Sequence, residues 1–395
     1  MKRDFILWML STALFSSLGA SNTLPSNRSI IVDKAPEFVR PYVLPKYRGH
    51  AISYLKSGQT IRFSITANSS DGAFSLIQHN GKASGFLSAR PHTHGVTHEH
   101  IYCSRGRSQL WGLQNVTDAS HEARVVTPGD YGNIPPGTIH TFQLVDPDSL
   151  LTHAFHPGGF ENLFNIYSLG DHDTHGVSSP YIPTVDDSSF PSITDKEYNL
   201  LVSLDLYTVP AKEYIPRRDF VNGTAGDRET KEAWHDGPNT LPNDPETPYF
   251  IAKDYGPKYL NTDIGYKVIQ PLTTAKQTEG NFTMGTIIMS PRMANETISR
   301  VTLPHHFALQ MEEGQLSFQV QGYPRVHLLH GDVAFVPAGT PFSYYATVPY
   351  TKFIYMNAGG KGLDYQLLSR SVLWEFPAYP TYAGFKPNGT ATKFE

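Results

Sequence analysis

The sequence has 395 residues, of which 39% are hydrophobic and 12% aromatic, which is the composition of a globular chain long enough for two medium domains or one large one. The formal net charge is −4, and charged residues make up 17% of the chain without forming a Lys/Arg block. This charge pattern excludes the basic surface of a nucleic-acid binder.

Residues 1–20 have the three parts of a secretory signal: Lys2 and Arg3, an apolar run from residue 5 to residue 15, and small residues up to Ala20. The apolar run is shorter than the roughly 20 residues that span a bilayer, so we expect cleavage near Ala20 and a secreted, extracellular protein rather than the alternative, a membrane anchor. Seven N-x-S/T sequons agree with secretion and are candidate glycosylation sites. They lie at Asn27, Asn68, Asn115, Asn222, Asn281, Asn295 and Asn388.

Short alternating runs rich in β-branched and aromatic residues, separated by Gly, Pro, Asn and Asp, follow one another from residue 54 to residue 145. Cys103, the single cysteine, lies in one of them and is predicted to be a small buried strand residue, since no internal disulfide is possible. A second series of such runs extends from about residue 264 to residue 357. The pattern predicts an all-β chain with two antiparallel β-sandwich or jelly-roll barrel domains.

Residues 171–250 are crowded with turn residues, and within them only residues 193–207 have the pattern of a short helix. We therefore expect an N-terminal domain over residues 21–170, a long irregular connection over 171–250 that packs on both domains, and a C-terminal domain over 251–395. The two halves share a repeat, because residues 128–142 align without gaps to residues 330–344, both reading G-D-x-x-x-[IV]-P-x-G-T.

The stretch PHTHGVTHEHIYCSRG, residues 91–106, concentrates four histidines and one glutamate. It resembles the first cupin motif, G(x)5-6HxH(x)3-4E(x)6G, and residues 129–140 resemble the second, G(x)5PxG(x)2H. Residues two apart on a strand face the same side, so His92 and His94 point together, with Glu99 on the next strand and His140 opposite. Three imidazoles and one carboxylate bind a divalent first-row metal and leave one or two coordination positions open.

Other histidines do not fit this pattern. His98 and His100 flank Glu99 on the same strand and are expected to point away from it, as hydrogen-bonded or solvent-facing side chains. In the second repeat His305 and His306 are expected to be ordinary polar or core residues, because Phe307 and Phe342 stand where ligands are needed. The prediction is one metal per chain. His172 and His175 could pair on a metal, but solvated loop histidines are the favoured interpretation.

Two cupin domains with the metal motif intact only in the first half resemble the bicupin family of fungal quercetin 2,3-dioxygenases (flavonol 2,4-dioxygenases). The resemblance extends outside the motifs, to residues 35–47, 157–164, 180–183 and 248–271. It implies a small aromatic substrate, dioxygen, and a copper(II) ion held by His92, His94, Glu99 and His140, although the same donors hold iron, manganese, nickel or cobalt in other cupins. It also implies that Glu99 is catalytic and takes the proton of the flavonol 3-hydroxyl, and that a depside and carbon monoxide are formed.

Alignment by eye with this family places seven residues at the positions that line its substrate cavity. Ile61 and Ile101 stand where the family often has aromatic residues, and His79 stands where a small residue is usual, so the substrate could differ in shape. The seven are Ile61, Ile77, His79, Ile101, Phe142, Phe155 and Phe160. Simple barrel core is an equally open interpretation of each apolar one.

Three functions remain open at this point. The first is a copper flavonol dioxygenase, and the second is a metal-dependent secreted bicupin enzyme acting on another phenolic or polyketide substrate of secondary metabolism. The third is a binding or storage cupin without catalysis, which would not need an intact ligand set. Since the second cupin domain can replace a second subunit, we expect a monomer in preference to a homodimer.

Overall fold

The computed structural model describes residues 29–54, 58–114, 121–172, 180–181, 190, 192–210, 212–216, 235 and 238–386. Strands make up most of its regular structure. Those up to residue 251 are β1 (Tyr42–Leu44), β2 (Ala51–Tyr54), β3 (Gln59–Ile65), β4 (Ser75–Gly81), β5 (His92–Thr93), β6 (His98–Arg105), β7 (Ser108–Leu113), β8 (His121–Val126), β9 (Tyr131–Ile134), β10 (Ile139–Leu144), β11 (Ser149–His156), β12 (Ser168–Asp171), β13 (Tyr207–Thr208) and β14 (Tyr249–Ile251).

The remaining strands belong to the second series predicted from the sequence. They are β15 (Tyr259–Asn261), β16 (Lys267–Thr273), β17 (Thr283–Met289), β18 (Phe307–Glu313), β19 (Leu316–Val320), β20 (Val326–Leu328), β21 (Val333–Val336), β22 (Phe342–Ala346), β23 (Thr351–Asn357) and β24 (Val372–Leu373). Short helices α1 (Ala67–Ser70), α2 (Asp195–Ser203) and α3 (Leu363–Leu368), and a 3-10 helix over Phe160–Tyr167, complete the described elements.

Each half of the chain forms two sheets. In the first half an eight-stranded sheet has the order β12-β2-β3-β4-β11-β6-β9-β14, and a five-stranded sheet has the order β13-β5-β10-β7-β8. In the second half the orders are β1-β21-β18-β23-β17-β16-β15-β24 and β20-β19-β22. The pairings between named strands are antiparallel, and the predicted all-β bicupin architecture of packed sandwich sheets is confirmed.

The two eight-stranded sheets share one apolar core, in which Phe74 of the first half contacts Phe282 and Phe335 of the second with ring centroids 5.6 and 6.2 Å apart. Polar side chains join the halves beside this core. Gln310 Nε2 donates to Thr152 Oγ1 at 3.0 Å, and Gln78 Nε2 donates to Gln310 Oε1 at 3.1 Å. The two halves therefore pack sheet against sheet.

The halves also exchange edge strands. Strand β1, from the start of the chain, pairs with β21 of the second half, and β14, from the end of the connection, pairs with β9 of the first half. Each arm is anchored in the same way, because the backbone N–H of Lys46 donates to Asp332 Oδ1 at 2.9 Å and that of Lys253 donates to Asp130 Oδ1 at 2.8 Å. The predicted domain boundaries at residues 170 and 250 stay a prediction. They assign β1 to the N-terminal domain, although β1 pairs with a strand of the second half.

Several local predictions can be compared with the described residues. Helix α2 lies within the predicted segment 193–207, and its first turn is a capping box in which Thr194 accepts from the Glu197 N–H. Cys103 is fully buried in β6, as predicted. Among the sequons, Asn68, Asn281 and Asn295 are exposed, whereas Asn27, Asn115, Asn222 and Asn388 lie outside the described residues, as do residues 1–28 and His175. No helix of the described segments has the length and apolarity to span a membrane.

Candidate metal centre and cavity

Three short strand ends bring the predicted ligands together. His92 lies on β5 directly opposite His140 on β10, and a turn after His94 leads into β6, where Glu99 is the second residue. One nitrogen from each histidine and one carboxylate oxygen of Glu99 lie within 4.8 Å of one another. All four side chains are buried. The structure thus assembles the group that the two sequence motifs indicated.

Hydrogen bonds outside the cluster fix the orientation of each ring. The Nδ1 atoms of His92, His94 and His140 lie 2.6, 2.9 and 3.0 Å from the backbone oxygens of Arg90, Asp205 and Thr138. Because a backbone carbonyl can only accept, each Nδ1 carries the proton and each Nε2 has a free lone pair. His94 Nε2 is buried without a hydrogen-bond partner.

The same tautomers fit a divalent metal. The three Nε2 atoms and Glu99 Oε2 face one another, with Oε2 2.8 Å from His140 Nε2 and 3.4 Å from His94 Nε2. Burial by itself raises the pKa of Glu99, but the histidines in contact with its carboxylate, His140, His153 and His94, outweigh burial and hold the pKa well below its usual value. Burial lowers the pKa of His92, and the neighbouring imidazoles lower it further. A carboxylate and three neutral imidazoles are the protonation states that metal binding requires.

Asp205, in the connection just after α2, holds the ligand-bearing turn. Its carboxylate accepts from the backbone N–H groups of Gly95 at 2.7 Å, Val96 at 3.1 Å and Thr97 at 2.7 Å, and its own carbonyl accepts from His94. Burial raises the pKa of Asp205, but these N–H donors reverse the shift and lower it. Its backbone φ of 64° lies in the left-handed region, which Asp tolerates better than most residues. Nothing in the motif marked this residue.

A cavity opens beside the cluster, and Glu99 and His92 form part of its wall. Three of the seven residues aligned with the family's substrate cavity, His79, Phe142 and Phe160, line it. The other four, Ile61, Ile77, Ile101 and Phe155, are not among its lining residues and are fully buried in the apolar core. Aromatic residues that the alignment did not select complete the wall, namely Tyr54, Phe164, Tyr167 and Phe190.

His153, on β11, is a cavity residue that the sequence reasoning missed. Its Nδ1 lies 2.6 Å from Glu99 Oε1, the carboxylate oxygen that does not face the other histidines. Its ring centroid is 6.0 Å from that of His79, whose Nε2 contacts Gln59 Oε1 at 2.5 Å. Side chains two residues apart on a strand point to the same face, so the position of Phe155 already indicated that His153 lies on the same face of β11.

His98 and His100 point away from Glu99, as expected, and form a second buried group with His156. His100 stacks with His98 and with His156, and His100 and His156 stack against Phe282 of the second half. His100 Nδ1 lies 2.6 Å from the Tyr131 hydroxyl, and His100 Nε2 lies 3.1 Å from His156 Nδ1. His98 Nε2 also lies 3.1 Å from Asn133 Oδ1, so this group takes part in a buried hydrogen-bond network.

The second repeat has an apolar pair where the first has its carboxylate and imidazole. By strand register Phe307 corresponds to Glu99, and by the sequence repeat Phe342 corresponds to His140. The two rings stack with centroids 5.2 Å apart in the core of the C-terminal half. His306, by contrast, accepts a hydrogen bond from the Ala338 N–H at 3.0 Å, as an ordinary polar residue.

Comparison with known proteins shows which family the chain resembles. No family model matches it. It is 38% identical over 354 residues to the quercetin 2,3-dioxygenase of Aspergillus japonicus, covering 89% of this chain and 98% of that protein. It is 24% identical over 332 residues to the quercetin 2,3-dioxygenase of Bacillus subtilis strain 168, covering 83% and 85%.

Among solved structures, an oxalate decarboxylase from Bacillus subtilis superposes with a TM-score of 0.49 at 13% identity, covering 85% of this chain and 82% of that one. A similarity of that size carries no argument. The identity to the Aspergillus protein, over nearly the full length of both chains, confirms the resemblance seen in the motifs, and the chain belongs to the quercetin 2,3-dioxygenase family.

Proposed function

We propose that this protein is a secreted, metal-dependent dioxygenase that cleaves the heterocyclic ring of flavonols such as quercetin with dioxygen, forming a depside and carbon monoxide. The observation that carries the proposal is the joint presence of three Nε2 lone pairs, one carboxylate and an adjoining aromatic cavity. The family relationship supports it, since the relatives that match most of this chain are quercetin 2,3-dioxygenases.

In this proposal His92, His94, Glu99 and His140 hold one divalent metal, and copper(II) is the proposed ion because copper stands at the top of the affinity order for nitrogen and oxygen donors. When bound, the metal supplies Lewis acidity toward the substrate oxygen and a route for electron transfer to dioxygen. Glu99 lines the cavity and accepts the proton of the flavonol hydroxyl. Phe142 and Phe160 provide an apolar wall against a flat ring.

The cavity must widen to admit such a substrate. Its free volume is about 50 Å³, whereas small-molecule sites usually enclose roughly 300–1,000 Å³. Phe160, Leu163 and Phe164 reach the cavity from the 3-10 helix, and Leu206 reaches it from the segment after α2. Surface elements of this kind can shift without breaking a sheet, so we place the opening there.

The reaction has a stoichiometry that tests the proposal directly. One flavonol and one dioxygen give one depside and one carbon monoxide, so headspace carbon monoxide should rise in proportion to the oxygen consumed by the copper-loaded protein with quercetin. Glu99→Gln, which removes the proton acceptor, should lose this turnover. A protein that holds one metal per chain but releases no carbon monoxide would refute the flavonol assignment.

A second candidate is a metal-dependent enzyme for another phenolic or polyketide substrate. The observation that favours it is the pair His79 and His153, which adds two imidazoles to the largely aromatic part of the cavity wall. A panel of phenols with the same oxygen-uptake assay separates the two candidates. Secretion, glycosylation and a monomeric state also belong to the proposal, and they are tested by the N-terminal sequence, glycan content and sedimentation of protein from culture medium.

A further inference from the structure

His153 has one buried ring nitrogen without a hydrogen-bond partner among the described residues. Nδ1 contacts Glu99 Oε1 at 2.6 Å, but Nε2 is buried and has no hydrogen-bond partner among the described residues. The side chain is 2% exposed, and its ring forms part of the cavity wall. A buried polar atom without a partner is unfavourable, so it needs an explanation.

The surroundings of this ring are mostly apolar. Phe142 lies 5.3 Å away and Phe155 stacks at 6.0 Å, centroid to centroid. His79 is the nearest other imidazole at 6.0 Å, and its own Nε2 is engaged by Gln59. The cavity is therefore the side from which a partner for His153 Nε2 can come.

In the neutral imidazole, the hydrogen-bonding role of Nε2 follows from the contact on the other nitrogen. A carboxylate can only accept, so Nδ1 carries the proton in the bond to Glu99. A neutral imidazole protonated at Nδ1 has its lone pair at Nε2. The partner that fits is consequently a donor, such as a hydroxyl group, and not a carbonyl oxygen.

We propose that His153 is a specificity-determining residue whose Nε2 accepts a hydrogen bond from a second hydroxyl of the substrate, close to the oxygen that reacts beside Glu99. The inference rests on the proposed function for the identity of the reacting group. The proposal narrows the substrate class to phenols that carry, near the oxygen that reacts beside Glu99, a second hydroxyl able to donate a hydrogen bond. Substrates lacking this hydroxyl would leave Nε2 unpaired and bind more weakly.

A purely structural role, in which His153 only holds Glu99 in place, makes a different prediction, and conservative variants separate the two. His153→Asn keeps a donor where Nδ1 was, and with it the bond to Glu99, but has no group at the Nε2 position. His153→Gln can present an acceptor at the Nε2 position but does not keep the same bond to Glu99. His50→Asn makes the same chemical change at a half-exposed histidine outside the cavity and is the matched control.

The experiment measures equilibrium dissociation constants of the metal-loaded protein without dioxygen, so that no ligand is consumed. The probes are flavonols with different hydroxyl patterns: 3-hydroxyflavone, galangin, which adds the 5- and 7-hydroxyls, kaempferol and quercetin, which each add one more, and morin, an isomer of quercetin. The pair catechol and phenol completes the set. Metal content and the thermal unfolding midpoint of each variant verify that the site is intact.

In the wild type and in His50→Asn, loss of one particular hydroxyl should weaken binding about tenfold or more, as for a buried group left without its partner. In His153→Asn the same loss should change binding by less than about twofold, and His153→Gln should restore part of the discrimination. Equal penalties in the wild type and in His153→Asn for every probe, or no hydroxyl discrimination at all, would overturn the proposal. Discrimination confined to catechol against phenol, with no flavonol bound, would refute the flavonol function and leave the role of His153 standing.

Discussion

Asp205→Asn should weaken metal binding although Asp205 touches no metal-binding atom. Asn can keep one acceptor oxygen for the Gly95 N–H, but its amide group then faces the N–H groups of Val96 and Thr97, which now bond to Oδ2 at 3.1 and 2.7 Å. A hydrogen bond to a charged group contributes about 1.5–3 kcal/mol. The Thr97 bond is lost, whereas Val96 keeps its 3.2 Å contact to Oδ1. The turn is partly exposed, so we expect about 1.5–3 kcal/mol less stability in the metal-free protein.

The same change loosens the carbonyl that orients His94, and loss of such outer contacts typically costs about 10–100-fold in metal affinity. Titration of the metal-free protein with Cu²⁺, followed by visible absorption, gives the dissociation constant, and urea unfolding gives the stability. Asp146→Asn, at an ion pair with Arg107 on the exposed rim, is the control and should change stability by less than about 1 kcal/mol. If the dissociation constant for Cu²⁺ is the same in Asp205→Asn as in the wild type, the Asp205 carboxylate is not needed to hold the turn after His94 in place for metal binding.

Three further predictions concern stability and reactivity. Burial lowers the pKa of His98 to about 4 and the pKa values of His100 and His156 well below their usual value. As the pH falls, these histidines therefore bind protons in the unfolded chain before they do so in the folded protein. The free energy of unfolding of the metal-free protein should be constant above about pH 6.5 and decrease below it, and His98 alone should account for a loss of about 3 kcal/mol at pH 4. Urea titrations between pH 8 and pH 4 measure this, and a flat profile would contradict it. Phe342→Ala should cost about 3–5 kcal/mol by the same method, because it leaves a cavity against Phe307, without changing metal content; a loss of metal would mean that the second half contributes to the site. Cys103 is fully buried and burial raises the pKa of its thiol; a thiol reagent should label it only after unfolding, and rapid labelling of the native protein would be the contrary result.

The sequence alone was sufficient for the parts of the site whose geometry is local. The spacing between His92, His94 and Glu99 is determined by the strand period and one turn, so a motif can encode it. The second motif works in the same way for His140, since its turn sets the register of β10 against β5. The all-β architecture was equally accessible, because period-two runs separated by turn residues are a local property.

What the sequence did not reveal depends on contacts between distant segments. Asp205 lies 111 positions from His94, and His153 lies 54 positions from Glu99. Asp205 has no local pattern that marks it, and the strand period marks only the face of His153 and not its contact with Glu99. Four residues proposed from the alignment to line the cavity, Ile61, Ile77, Ile101 and Phe155, lie in the core. An alternating strand pattern identifies buried residues but does not show which of them border a cavity.

The exchange of β1 and β14 has a consequence for dividing this protein into parts. A cut between the halves would leave β21 as an unprotected edge, because β1 lies at the start of the chain, and a cut before residue 249 would also uncover β9 by removing β14. A single half produced alone should therefore recruit a copy of itself or aggregate, and adding the missing arm as a peptide should restore it to solution. The arrangement has the form of a closed pair of like subunits joined in one polypeptide, in which β1 protects an edge of the second half.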